Sequence, residues 1–143
     1  MTAAEVDAED VVIAYLSSLS IAPAGQIAAR MPPAPQLPFI LVQRVAGDDD
    51  YLVDYPTLSI HSFNSTQTGA SDTARAVHHA MRQLRSKTPV TLAGGTVVTP
   101  YAPTKTEMTP IFVEWETGGG GAVLFRYVGR YRLHLRLPSI TGF

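Results

Sequence analysis

The sequence Phe125-Arg-Tyr-Val-Gly-Arg-Tyr-Arg-Leu-His-Leu-Arg-Leu137 decides the fold, because its odd-numbered and even-numbered positions carry side chains of different polarity. A β-strand sends alternate side chains to opposite faces of a sheet. The odd positions are apolar or aromatic, except for Gly129. The even positions carry the charge: Arg126, Arg130, Arg132, His134 and Arg136. The run therefore predicts one long strand whose Tyr131, Leu133 and Leu135 face the core while its arginines face outward.

The length of this strand is also informative. Thirteen residues at about 3.3 Å each span roughly 43 Å. A compact domain of 143 residues has a diameter of roughly 37 Å. We therefore expect the strand either to bend, at Gly129, or to extend beyond the core. A charged strand that extends from the core suits a protein whose role is to contact other proteins.

The charges are segregated although the net charge is only −1. Acidic residues gather in residues 5–10 and in the segment with Asp48, Asp49, Asp50 and Asp54, and the basic residues gather in a middle segment and in the last strand. A near-neutral chain is atypical of a dedicated nucleic-acid binder. Segregated charge at low net charge favours complementary self-association.

Composition excludes several classes of protein. The chain has no cysteine, so disulfides, thiolate metal sites and cysteine nucleophiles are absent. The acidic N-terminus is not followed by the apolar core of a signal peptide, and no apolar run reaches the length of a membrane span. We expect a single domain over residues 1–143, an intracellular product or particle component with no membrane partner.

Two helices are predicted from apolar stripes at helical spacing. The first covers about Asp7 to Leu19, with acidic residues in its first turn, where the helix dipole favours them. The second covers about Asp72 to Ser86, with Ser71 or Asp72 as the N-cap. Its buried stripe is Ala74, Val77, Met81 and Leu84.

Strands are predicted where β-branched and aromatic residues cluster: 39–45, 57–63, 96–99, 111–116 and, as a short strand, within 26–30. The acidic connection from Ala46 to Pro56 is expected to be a solvated hairpin loop. The Gly118–Gly121 run joins the strand at 111–116 to the last strand. In that hairpin, Glu114 and Glu116 can lie opposite or diagonal to Arg126. The fold class is therefore α+β: a mainly antiparallel sheet with two helices packed on one face and a long C-terminal β-hairpin.

No pattern indicates catalysis. The adjacent His78 and His79 point about 100° apart on a helix, so we expect two exposed helix histidines rather than a chelating pair. No nucleophile elbow, zinc-protease motif or phosphate-binding loop is present. Asp48, Asp49 and Asp50 are most simply solvated, with a divalent cation as the alternative. We therefore predict no enzyme, no cofactor and no metal site.

The outward arginines allow three interpretations. They form a solvated outer face that resists edge pairing, a protein contact, or a nucleic-acid contact. The third is disfavoured because the aromatic residues of the run alternate with the arginines onto the opposite face.

The order of these pieces resembles a known family. A short helix leads into Arg30-Met-Pro-Pro-Ala-Pro-Gln-Leu-Pro-Phe-Ile-Leu-Val-Gln-Arg-Val-Ala-Gly47. Then come Val53-Asp-Tyr-Pro-Thr-Leu-Ser-Ile-His-Ser-Phe63, an alanine-rich helix and the closing Arg126–Arg136 run. This layout resembles the lambda-type tail terminator (tail completion) proteins of long-tailed siphophages, especially those infecting actinobacteria. The resemblance covers nearly the whole chain.

The resemblance implies a structural virion protein without catalytic residues. It would form a hexameric ring at the head-proximal end of the tail, stop polymerisation of the tail tube protein, and present a head–tail joining surface to connector or neck proteins. Assembly would occur in the host cytoplasm, and DNA would be only a passing cargo in the lumen. The alternatives are another neck or head–tail completion protein and, less favoured, a nucleic-acid-binding accessory protein.

Charge and exposure select the residues expected at the subunit boundary. A heterologous contact joins two different patches and can close into a ring. The acidic segment and the last strand are the two candidate patches, with apolar burial beside the aspartates supplying most of the affinity. The candidate interface residues are Asp48, Asp49, Asp50, Tyr51, Leu52, Tyr55, Arg130, Arg132 and Arg136.

Overall fold

The computed structural model describes residues 7–23, 25–49, 53–85, 88–100, 102–117 and 123–136. In chain order its elements are α1 (Ala8–Ser18), β1 (Ile27–Ala28), β2 (Phe39–Asp49), β3 (Val53–Asn64), α2 (Gln67–Gln83), β4 (Val90–Thr91), β5 (Val97–Val98), β6 (Lys105–Thr117), β7 (Val123–Arg132) and β8 (Leu135–Arg136). The main sheet has the order β1-β2-β3-β7-β6, with β8 continuing beside β3. Its described pairs are antiparallel except β1 with β2. The α+β class and the mainly antiparallel sheet are confirmed.

Helix α1 forms where predicted. Asp7 is its N-cap, and the Asp7 side chain accepts a hydrogen bond of 2.9 Å from the backbone N–H of Glu9. That contact satisfies one of the N–H groups that a helix start leaves unpaired. Of the predicted apolar stripe, Val11, Val12, Tyr15 and Leu16 are buried, whereas the expected burial of Leu19 is wrong, because Leu19 is 47% exposed.

Helix α2 begins earlier than predicted. The expected start at Asp72, with Ser71 or Asp72 as cap, is wrong, because Thr66 caps the helix. The Thr66 hydroxyl accepts a 3.0 Å hydrogen bond from the N–H of Gly69. The predicted stripe is confirmed, since Ala74, Val77, Met81 and Leu84 are all buried. Neither α1 nor α2, among the residues described, is long and apolar enough to cross a membrane.

The expected solvated loop from Ala46 to Pro56 is wrong. Strand β2 continues to Asp49, β3 resumes at Val53, and the ladder pairs Asp48 with Tyr55 and Asp49 with Asp54. A register shift between Arg44 and Ala46 and the positive φ of Gly47 (116°) let the strand continue through this segment. Backbone pairing therefore extends into residues that composition alone marks as a loop.

The last strand keeps its predicted register but not its continuity. Residues of β7 and β8 pair with β3 from Asn64↔Phe125 to Val53↔Arg136, and the ladder pattern is interrupted only at Leu133 and His134. The N–H of Leu133 still donates to the carbonyl of Pro56 at 2.9 Å. The expected bend at Gly129 is wrong, because the β3–β7 ladder crosses it without a shift. Residues 125–136 run alongside β3 rather than beyond the core, while Leu137 lies outside the described residues.

The C-terminal hairpin is confirmed and is longer than predicted. Strand β6 begins at Lys105 rather than Ile111 and tolerates Pro110 because it lies at the sheet edge. The register pairs Lys105 with Arg132 and Thr117 with Val123, so β6 carries three more residues than β7 over the same span. Three register shifts within β6 absorb that excess. The predicted strand at 96–99 is present as β5, which pairs with β4 in a separate small sheet.

Both helices pack on one face of the main sheet, as predicted. Their buried stripes join Ile40, Val42, Leu58, Ile60, Tyr131, Leu133 and Leu135 in one cluster. The hydroxyl of Tyr15 donates a 2.7 Å hydrogen bond to the carbonyl of Ala80 and so ties α1 to α2. The inward orientation of Tyr131, Leu133 and Leu135, buried at 0–1% exposure, is confirmed.

A second, smaller cluster lies on the other face of the sheet. Phe39, Phe63 and Leu124 are buried there, and Met31 and Leu37 of the proline-rich segment pack against them. The proline-rich segment therefore covers one end of this face. The rest of the face carries the arginines.

Candidate assembly surface

The arginines of β7 occupy the sheet face opposite the helices. Because Tyr131 and Gly129 face the helices, the alternate residues Arg126, Arg130 and Arg132 face the other way. The ladder pairs these arginines with Phe63, Ser59 and Thr57 of β3. Arg130 is exposed, while Arg126 and Arg132 are partly buried. We call these three arginines and their neighbours on β3 the arginine face.

Aromatic rings lie beneath two of these guanidinium groups. The guanidinium carbon of Arg126 is 5.9 Å from the Phe63 ring centroid, and that of Arg132 is 5.4 Å from the Tyr55 ring centroid. Tyr55 also meets the His134 ring edge-on at 5.3 Å. Each of these cations therefore lies within the range of a cation–π contact. The arginine face combines cationic groups with aromatic rings.

His61 adds no charge to the arginine face near neutral pH. Burial, with Arg126 and Arg130 nearby, lowers the pKa of His61 to about 4. Its Nε2 shares a 3.1 Å hydrogen bond with the Ser59 hydroxyl. The positive charge of this face comes from its arginines and from Lys105, which pairs with Arg132 in the ladder.

The Ser59–His61 pair does not form a catalytic site. Ser59 is 2% exposed, and the Nδ1 atom of His61 is buried without a hydrogen-bond partner among the described residues. A serine nucleophile needs access to substrate and a group that orients the base. Within the described ranges, no three metal-ligating side chains converge either.

The acidic residues form a second surface at the β2 edge. Arg44 binds Asp54 through two hydrogen bonds of 2.8 Å, and its backbone N–H donates to Oε2 of Glu9 at 2.8 Å. This contact brings the start of α1, with Asp7 and Asp10 exposed, to the end of the β2–β3 hairpin. We call the set the acidic corner; its members are Asp7, Glu9, Asp10 and Asp54. Two acidic clusters far apart in sequence therefore lie together.

The structure brings most of the predicted interface residues to one end of the sheet. Tyr55 and Arg132 are in contact, Asp48 pairs with Tyr55, and Arg136 pairs with Val53 in the ladders. Asp49 lies opposite Asp54, and Arg130 lies further along β7. Asp50, Tyr51 and Leu52 fall outside the described residues. The interface role of all nine residues stays a prediction.

Sequence reasoning missed an exposed apolar stretch on β6. Ile111, Phe112 and Val113 are 48%, 39% and 43% exposed, and we call these three residues the apolar edge. They lie on the edge strand of the sheet, so no further described strand covers them. Three consecutive apolar residues were visible in the sequence. Their exposure was not predictable, because it depends on the position of β6 in the sheet order.

His78 also departs from expectation. It is partly buried rather than exposed, and its Nδ1 atom shares a 3.0 Å hydrogen bond with the hydroxyl of Tyr131. Burial, followed by the nearby Arg82 and His79, lowers the pKa of His78. This histidine holds α2 against β7, whereas His79 is exposed as predicted.

No protein-family model matches the chain, and no curated protein matches it. Among solved structures, the chain is similar to one in a structure described as the virion of a native gene transfer agent (GTA) particle. The identity is 15%, the TM-score is 0.42, and the similarity covers 90% of this chain and 96% of that chain. Similarity at this level carries no inference about function.

Proposed function

We propose that this chain is a structural virion protein that forms a ring, of six copies, on the head-proximal end of a phage tail tube. In that position it ends polymerisation of the tube protein and provides the surface for connector or neck proteins. The ordered layout of the sequence resembles that of siphophage tail terminators, and this resemblance supports the proposed role. The exposed apolar residues of β6 support self-association.

The apolar edge is the observation that carries the proposal. Exposed apolar residues that occur together mark contact surfaces. Here they are exposed on both sides of the edge strand, since Ile111 lies opposite Val128 and Phe112 lies opposite Tyr127. The apolar edge lies on a strand whose three register shifts and Pro110 disfavour continuous backbone pairing with another strand. The side chains, rather than the backbone ladder, would therefore make the contact. Side-chain docking of this kind suits one subunit packing against the next around a ring.

The arginine face gives a second reason to favour assembly over catalysis. It is a charged and broadly open surface, and its Ser59–His61 pair lacks the features of a nucleophilic site described above. We therefore infer that the chain is not an enzyme and works through its surfaces.

Mass measurement over a wide range of concentration, with electron microscopy of assembled particles, tests the proposal. We expect a species of six copies in solution or a ring of this protein at the head-proximal end of the tail tube. Ile111→Asp should weaken assembly strongly, because it places a carboxylate in the apolar edge. Val97→Asp is the matched control, since Val97 is 58% exposed but lies in the separate β4–β5 sheet.

The outcomes separate the candidate functions. A protein that is absent from particles and stays monomeric at every concentration would refute the proposal. A ring found at another layer of the neck would refute tail capping and support a neck completion protein. Retention on DNA with a steep salt dependence would instead support a nucleic-acid-binding accessory protein.

A further inference from the structure

Strand β2 has an outer edge that the neighbouring strand covers only in part. Strand β1 pairs with β2 at Ile40 and Leu41 and ends there. Within the described residues, no strand of the sheet lies beyond β2 along 43–49. An uncovered strand edge presents backbone N–H and C=O groups that can pair with another chain. The sheet therefore has a position at which a further strand can add.

The carboxylate of Glu9 occupies part of this edge. Its Oε2 atom accepts a 2.8 Å hydrogen bond from the backbone N–H of Arg44. The N–H of Ile40, four residues earlier on β2, donates to the carbonyl of Gln26 on the β1 side. Because alternate residues of a strand direct their N–H groups to the same edge, the N–H of Arg44 also points away from β3. The Glu9 carboxylate therefore lies where a carbonyl of an added strand would lie.

The fold holds both partners of this contact in place. Asp7 caps α1 by accepting a 2.9 Å hydrogen bond from the N–H of Glu9, and Ala8 between them is 2% exposed. The side chain of Arg44 is held by Asp54 through two hydrogen bonds of 2.8 Å. Little further ordering is needed to bring Glu9 to the strand, so the entropic cost of the contact is small.

We propose that Glu9 closes the outer edge of β2 against pairing with the β2 edge of a second copy of this chain. Two copies related by a two-fold axis place these edges antiparallel, and each edge then offers the other the same run of donors and acceptors. Residues 43–47 are all exposed, with Val45 at 47%, so an incoming strand has access.

The physical effect of Glu9 on an incoming strand is twofold. The strand loses the N–H of Arg44 as a donor, because that N–H already has a charged acceptor. Its backbone carbonyls also meet a carboxylate, so acceptors face acceptors and a polar group is left without a partner. Pairing at this edge therefore requires the Glu9 side chain to leave.

The two edges of the sheet are protected in different ways. Strand β6 has three register shifts and Pro110, which disfavour backbone pairing. Strand β2 contains no proline, and a single register shift between Arg44 and Ala46 interrupts its ladder with β3. A carboxylate bound to a backbone donor supplies the protection that β2 otherwise lacks. This inference is independent of the proposed ring, whose contact uses the apolar edge of β6.

Amide-resolved hydrogen exchange on the full-length chain tests the inference, with the Arg44 amide as the reporter. In the wild-type protein this amide should exchange slowly at every concentration, because Glu9 holds it. In Glu9→Ala it should exchange about tenfold faster or more in dilute solution, since a hydrogen bond to a charged acceptor is lost. At high concentration the variant should regain protection at Arg44, and mass measurement should show a two-copy species that exceeds the wild-type amount.

Three further variants separate the acceptor from its charge. Glu9→Gln keeps a side-chain oxygen at the same reach and should retain most of the protection of Arg44. Glu9→Asp keeps the charge but is one methylene shorter, so it should behave as Glu9→Ala does. Asp10→Ala removes the neighbouring exposed carboxylate and should behave as the wild type does. Thermal melting of Glu9→Ala close to that of Asp10→Ala would show that the variant folds normally.

Three results would overturn the inference. Equal exchange of the Arg44 amide in wild type and Glu9→Ala in dilute solution would show that Glu9 does not protect this edge. Fast exchange in Glu9→Ala at every concentration, without a two-copy species, would show that the edge does not pair with a second copy. A two-copy species of equal amount in Asp10→Ala would assign the effect to net charge. The ring proposal is tested separately, because Ile111→Asp changes β6 and leaves the β2 edge intact.

Discussion

Replacing Gly129 with alanine should destabilise the protein, although alanine normally stabilises a strand relative to glycine. Gly129 lies on the helix side of β7, and the ring of Tyr131 lies over it. A Cβ atom at position 129 would be 2.9 Å from the hydroxyl oxygen of Tyr131 and 3.1 Å from its Cε2 atom. Both distances are shorter than or at the limit of normal contacts with a Cβ. The substitution therefore requires the tyrosine ring to move.

The surroundings of Tyr131 resist that movement. The ring is 0% exposed, and its hydroxyl is held by the Nδ1 atom of His78 at 3.0 Å. Overpacking of a buried site costs about 1–3 kcal/mol. Removing a glycine from a strand returns about 0.5–1 kcal/mol. The net expectation for Gly129→Ala is a loss of about 1–2 kcal/mol in the free energy of unfolding.

A double-mutant cycle with Tyr131→Leu tests the mechanism. Leucine is too short to reach over position 129, so Gly129→Ala should become neutral or stabilising by about 0.5 kcal/mol in that background. The coupling between the two sites should then be about 1–2.5 kcal/mol. Urea unfolding at low protein concentration, followed by circular dichroism, measures all four chains. Gly94→Ala, with no atom within 4 Å of the added Cβ, is the control and should not lose stability. A Gly129→Ala chain as stable as wild type, with no coupling to position 131, would refute the reasoning.

Three further predictions concern the strands and their histidine. Gly47→Ala should lower the free energy of unfolding, measured in urea, several-fold more than Gly25→Ala. Both glycines have a positive φ, so both substitutions strain the backbone. Only at position 47 would the added Cβ also collide with a carbonyl of the facing strand, whereas at position 25 it meets no atom within 4 Å. Equal costs would contradict the β2–β3 pairing. The pKa of His61 is about 4 in the folded chain and 6.5 in the unfolded chain. Between pH 6.5 and pH 4 this histidine is therefore protonated mainly in the unfolded chain, so the free energy of unfolding falls as the pH decreases through that range. After discounting for partial exposure, the loss at pH 5 is roughly 1 kcal/mol, and His61→Asn should remove it; an unchanged pH dependence would contradict this assignment. Leu133→Asp should prevent folding because it buries an unpaired carboxylate, whereas Leu19→Asp, at a 47% exposed site, should fold. Wild-type-like melting of the Leu133 variant would mean that the strand faces the other way.

The sequence predicted those parts of the fold that depend on local periodicity. Alternation along the last strand placed Leu133 and Leu135 in the core, and helical spacing identified Val77 and Met81 of α2 as buried. Such patterns follow from which face an element buries, so a single chain is enough to read them. The start of α2 was less determined, because several residues able to cap a helix occur before its apolar stripe. In the structure the cap is Thr66, whose hydroxyl accepts a hydrogen bond from the N–H of Gly69.

Contacts distant in sequence account for what was missed. Residues 46–56 carry four aspartates and end in a proline, which favours a loop, yet the strands pair through most of that segment. Arg44 partly offsets the cost by binding Asp54 ten residues away, and Glu9 reaches the same arginine's backbone from 35 residues away. For the candidate site, parity predicted which arginines share a face. It could not predict that Glu9 of α1 and Asp54 of β3 both contact Arg44, since only the packed helix layer places them together.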